Sequence, residues 1–173
     1  LAIMSAVALA TCAVMPLVIS LQPLIFGISQ LVTALQIGVF FAIGLYKVRK
    51  PGSLLLMALM MGLIQLMMSP PMFLSSVLNG VLIELIVLLL FRGYEKDAAV
   101  FCAAMLHTPL SLPFNYLYNR LIKGADSPLA AVADRAPLAA VGMTLAVVAV
   151  SALGALIGIK IARELKKSGV LKK

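Results

Sequence analysis

Glu84 stands in the apolar run Val81-Leu82-Ile83-Glu84-Leu85-Ile86-Val87, a setting in which a carboxylate either binds something or must itself be held. An acidic side chain at the centre of a membrane helix costs up to about 3.5 kcal/mol on insertion scales, and such groups face a bundle interior or a wet cavity. Ser76 and Gly80 lie two turns and one turn before it, with Asn79 at the edge of the same face. A second polar set follows the period of a helix: His107, Ser111, Asn115 and Tyr118 recur at i, i+4, i+8 and i+11, with Asn119 at the margin. Pro109 and Pro113 interrupt that helix and free carbonyls that must find other donors. The chemistry on offer is charge neutralisation and hydrogen bonding. Glu84 is expected to neutralise a cationic or strongly hydrogen-bonding ring at the floor of an outward cavity, with Asn79, Ser111, Asn115 and Tyr118 around it. His107 is open to three readings: a partner of Glu84, a ligand donor, or a satisfied core histidine. Ser76, Ser111 and Asn115 are equally readable as interhelical glue, since such bonds average about 0.6 kcal/mol. Gln30, Gln36 and Gln65 are lesser candidates, and the ten Met residues read as lipid-facing bulk.

The elements that position these groups follow from composition. Of 173 residues, 63% are apolar and only 20 are charged, so a soluble domain could not bury this chain. Pro23, Lys47–Gly52, Ser69-Pro70-Pro71, Arg92–Asp97 and the stretch 120–137 punctuate the apolar runs. They delimit an all-α membrane protein of six spans, at about 1–22, 24–46, 52–69, 74–91, 98–119 and 138–160, with a basic tail 161–173. The first run contains Leu9-Ala10-Thr11-Cys12, a faint lipoprotein box. Thr before the Cys and the lack of a basic segment ahead of it favour a span. Eleven of the fourteen basic residues follow the second, fourth and sixth spans, and only Arg120, Lys123 and Arg135 fall on the other side. The positive-inside rule then places both termini in the cytoplasm. The net charge of +8 is an orientation signal with contact to anionic lipid, and forms no groove-sized patch for nucleic acid.

Enzymatic readings find little. One His cannot supply a zinc triad or a bis-His haem, no third group orients a His107–Ser111 pair, and no phosphate-cradling Gly loop with Lys is present. No metal or cofactor is expected. Small residues recur every fourth position as Ala2, Ala6 and Ala10 in the first span, and as Gly154, Gly158 and Ala162 in the sixth. Each stripe packs either within the bundle or against a partner subunit. A stand-alone proton-coupled carrier using Glu84 and His107 is the rival from another class, although no paired broken helices mark its two halves.

The six-span size, both ends inside, the Ala2-Ala6-Ala10 stripe and the basic tail together resemble the substrate-binding (S) component of energy-coupling-factor importers. Arg49-Lys50-Pro51-Gly52, Asn79-Gly80 before Glu84, Arg92-Gly93-Tyr94 and Ser168-Gly169-Val170-Leu171 are similar to its hydroxymethylpyrimidine/thiamine branch. The outer loop 120–137 and the Pro70-Pro71 turn match no single vitamin's pattern. The resemblance implies a non-enzymatic subunit that captures a vitamin-like solute, such as thiamine or a pyrimidine precursor, under outer loops. It also implies a transmembrane coupling protein and two ATPase subunits as partners, with Ala2, Ala6 and Ala10 as the coupling stripe.

Overall fold

The computed structural model describes residues 21, 24–67, 70–122, 124 and 127–169, and every regular element among them is a helix. These are α1 (Ile28–Lys47), α2 (Ser53–Leu66), α3 (Pro70–Phe91), α4 (Asp97–Leu121), α5 (Pro128–Arg135) and α6 (Pro137–Lys167). The second to sixth expected spans correspond to α1, α2, α3, α4 and α6. The first, with Ala2, Ala6 and Ala10, lies outside the described residues. Three helices, α1, α3 and α6, are long and apolar enough to cross a membrane. The 14 residues of α2 rise only about 21 Å, short of a ~30 Å hydrocarbon layer. Within the expected outer loop, residues 128–135 form a short helix of their own, and α6 continues through the expected tail to Lys167.

Polarity is distributed for lipid. Leu85, Leu89 and Leu90 on α3, and Leu145, Leu153 and Leu156 on α6, project outward. Asn79, Glu84, His107, Thr108 and Ser151 are buried. Without a hydrophobic force between helices, close backbone approach and internal hydrogen bonds hold such a bundle. The α1–α6 pair depends on approach. A Cβ on Gly154 would lie 2.5 Å from the Leu35 carbonyl oxygen, and one on Gly158 2.6 Å from that of Val39. The sixth-span stripe is therefore internal packing against α1.

Hydrogen bonding repairs α4. Pro109 cannot donate to the Met105 carbonyl one turn back, and Ser151 of α6 donates to that oxygen instead at 2.7 Å. On the neighbouring hairpin, Ser76 of α3 donates to the Ala58 carbonyl of α2 at 3.1 Å.

The α1–α2 loop, the start of α4 and the basic end of α6 meet on one face, tied by a single carboxylate. Asp97 accepts from Arg49 at 2.6 Å and from Arg163 at 2.6 Å. Arg49 also donates to the Glu95 carbonyl and stacks on the Tyr46 ring, 4.0 Å from its centroid. At the opposite end Asp134 of α5 accepts from Tyr116 at 2.7 Å and from Arg120, while Ser127 donates to Asn119 at 3.0 Å. The short helix is thus fastened to the end of α4.

Candidate functional site

Glu84 is engaged from within the chain. Its Oε1 accepts the Gly52 N–H at 2.6 Å, and its Oε2 accepts the Leu55 N–H at 3.3 Å and the Tyr94 hydroxyl at 2.8 Å. The reason lies in how α2 starts. Gly52 caps the helix at φ 84°, and no side chain of the capping segment covers the exposed N–H groups. Those groups meet Glu84 seven residues before α3 ends at Phe91, so α2 begins about 10 Å inside that end of the bundle. Unpaired donors at such depth cost several kcal/mol each. A carboxylate from α3 meets both the donors and the positive end of the helix dipole. Tyr94, wholly buried, arrives through a tight turn in which Arg92 adopts φ 58°. Burial first, and then the bond to Glu84, hold the Tyr94 phenol well above its ordinary range. In this geometry the Glu84 carboxylate, expected from the sequence at a cavity floor, sits on the start of α2, toward the basic face.

Farther from that face the polar groups behave differently. Asn79 is 1% exposed, Thr108 3% and His107 5%. Asn79 Oδ1, Thr108 Oγ1 and both ring nitrogens of His107 have no hydrogen-bond partner among the described residues. His107 meets the Phe41 ring at a centroid distance of 4.4 Å. No hydrogen bond joins it to Glu84, so a relay between the two has no geometric basis here. The antiparallel α3–α4 hairpin puts the three residues in one layer. Asn79 lies 12 residues before the end of α3, and His107 and Thr108 lie 10 and 11 residues after the start of α4, each about 15–18 Å from the basic face.

Beyond the layer, α3 and α4 part to form an open cleft of about 140 Å³, whose lining includes Ser75, Leu78, Phe114, Asn115 and Tyr118. Asn115 and Tyr118 continue the helical stripe that His107 begins. Ser111, between them, donates to the Thr108 carbonyl of its own helix at 2.7 Å. Of the candidate residues, Asn115 and Tyr118 line this cleft, Asn79 and His107 are buried nearer the middle of the bundle, and Glu84 and Ser111 are hydrogen-bonded within the chain. Thr108 was not singled out by the sequence, and Tyr94 entered only as part of the Arg92-Gly93-Tyr94 motif, with no role in the site. Thr108 lies beside the polar stripe rather than on it, and Tyr94 lies in a charged turn. Among the described residues no group of three or more His, Cys, Asp and Glu side chains converges to hold a metal.

Outward apolar side chains, buried polar ones and, Glu84 apart, charges gathered toward helix ends and loops define a helical integral membrane protein. The chain belongs to a bacterial family of that class: residues 1–167 match the family described as "hypothetical bacterial integral membrane protein (Trep_Strep)". No curated protein and no solved structure matches the chain significantly.

Proposed function

We propose that this chain is the solute-capture subunit of an ATP-driven importer of the energy-coupling-factor type. It takes a vitamin-like micronutrient from the outer side and performs no chemistry on it. One observation carries the reading: Asn79, His107 and Thr108, each about 15–18 Å from the basic face, keep buried polar atoms with no partner among the described residues. Orphaned polar atoms in hydrocarbon are costly, and a ligand that pairs them recovers that cost. The family's membrane character and the sequence resemblance support the same reading. In it the basic face is cytoplasmic. A transmembrane coupling protein meets the first span through Ala2, Ala6 and Ala10, and two ATPase subunits supply the energy.

The coupling half of the proposal is tested by co-expression with candidate coupling modules. Ala6→Trp is expected to abolish co-purification of the coupling protein while retention of bound solute stays at the parent level. Assembly that survives Ala6→Trp would assign the first-span stripe to internal packing. Transport by the purified chain alone in proteoliposomes under a pH gradient would replace the proposal with a proton-driven carrier.

A further inference from the structure

We propose that the basic face binds one anionic phospholipid, seated on the end of α6 with its phosphate at Lys160 and Arg163. The site lies at the end of the bundle opposite the cleft and does not depend on what the bundle captures. Its first support is an accounting of charge. At this end the described residues carry nine basic side chains against Glu95, Asp97, Glu164 and the buried Glu84. Asp97 holds Arg49 and Arg163, Glu164 holds Lys167 at 2.8 Å, and Glu84 is taken up by Gly52, Leu55 and Tyr94. Lys47, Lys50, Arg92, Lys96, Lys160 and Lys166 pair with no acid among the described residues. The charged residues between 120 and 135 belong to the far end, and Lys172 and Lys173 lie outside the described residues.

The second support is what lies beside those cations. Leu153, Leu156 and Ile157 precede Lys160, Arg163 and Lys167 on one exposed face of α6, at helical spacings of three and four. One stripe thus passes from aliphatic side chains to cations. A phospholipid has the same order along its length, acyl chains and then a phosphate, whereas a dissolved anion has no use for the aliphatic half. The third support is position. Arg163 is held by Asp97, the first residue of α4, so these cations stand level with a helix start and not on a tail reaching into water. Tyr46, under the Arg49 guanidinium, is part of the same cluster, and tyrosine favours the headgroup level. Lys160, one turn deeper than Arg163, can extend its ammonium to the phosphate layer along its apolar stem. Arg163 gives Nε and Nη2 to Asp97 and, with its side chain 56% exposed, keeps N–H groups for a second acceptor. The same charges set headgroup choice. An ammonium headgroup meets cations here, the nearby carboxylates being engaged, while a net negative one meets unpaired charge.

The test is native mass spectrometry of the full chain from mixed micelles of phosphatidylcholine and phosphatidylglycerol. The parent is expected to keep one phosphatidylglycerol in preference to phosphatidylcholine. Lys160→Gln is expected to weaken that retention about fivefold, and Lys160→Gln combined with Arg163→Gln to weaken it further. The Lys160 side chain is exposed and makes no hydrogen bond or ion pair among the described residues, so its replacement leaves the fold standing. Arg135→Gln removes the same charge at the far end and is expected to bind like the parent. Equal losses in Lys160→Gln and Arg135→Gln would reduce the effect to the net charge of +8 and overturn the site. Displacement of the lipid by inorganic phosphate would make this a site for dissolved anions and overturn the lipid assignment. A parent with no preference for phosphatidylglycerol overturns it too, and leaves the face to an acidic protein segment.

Discussion

A carboxylate in the interior of a membrane protein is tolerated only among donors, and at Glu84 the donors belong to the protein. Two backbone N–H groups and one phenol converge on it. Hydrogen bonds to a charged group contribute about 1.5–3 kcal/mol each when one partner is removed. Glu84→Gln is therefore expected to destabilise the fold by about 2 kcal/mol, and Tyr94→Phe by about 1 kcal/mol, read as earlier thermal unfolding in detergent. An unchanged midpoint in Glu84→Gln would show that α2 does not depend on this cap. The sequence made Glu84 conspicuous, since charge inside an apolar run is visible by inspection, and placed it nearer mid-membrane than the structure does. Its employer was not visible. The donors that engage it come from backbone at Gly52 and Leu55, about thirty residues away, and backbone groups carry no signature in the residue code. Asn79 and His107 were readable as interior polar groups by period. Thr108 was not, because threonine is common enough within membrane helices to pass as glue.

At the scale of elements, α4 shows how a helix carries two prolines through a membrane. Ser151 on α6 supplies the donor that Pro109 withholds from Met105. The pair predicts a specific non-additivity. Ser151→Ala should cost about 1 kcal/mol in the parent and almost nothing in a Pro109→Ala background, where residue 109 regains its N–H. Equal costs in the two backgrounds, measured by unfolding in the same detergent, would mean that the serine does not compensate the proline. The sequence placed the helices well, because Pro, Gly and charge clusters end apolar runs. It placed their ends less well. The start of α2 is set by the cap from α3, and the length of α6 by helix-forming Lys, Glu and Leu in the expected tail. The stripe Gly154-Gly158 was legible as a packing face, while the identity of its partner, α1, needed the tertiary arrangement.

At the scale of the whole molecule, the basic face is locked by Asp97, which joins the α1–α2 loop, α4 and α6. Burial acts to raise the Asp97 carboxyl, and the hydrogen bonds from Arg163 and Arg49 outweigh it, holding the group below its ordinary 3.8. A carboxyl whose folded value lies below its unfolded one adds stability that is present above the unfolded value. That stability disappears as pH falls through the folded value. The unfolding temperature is expected to stay level from about pH 8 to about pH 5 and to drop below about pH 4, and Asp97→Asn should lower the plateau and flatten that drop. A variant whose profile parallels the parent at every pH would remove Asp97 from the account.

The unequal helices have a consequence for the surrounding bilayer. The 14 residues of α2 present a flank about 21 Å high, while the 31 residues of α6 reach about 46 Å, against a hydrocarbon layer of about 30 Å. A bilayer beside such a flank is expected to thin, and the excess of α6 is expected to be met by leaning or by projection into water. Each ångström of mismatch costs a fraction of a kcal/mol, and the cost is borne by the membrane rather than by the protein. Any neighbour with an equally low flank relieves that deformation when it settles beside α2, before a single side chain has been matched. Membrane elasticity is thereby expected to act as a sorting force with a direction, favouring neighbours on the α2 side.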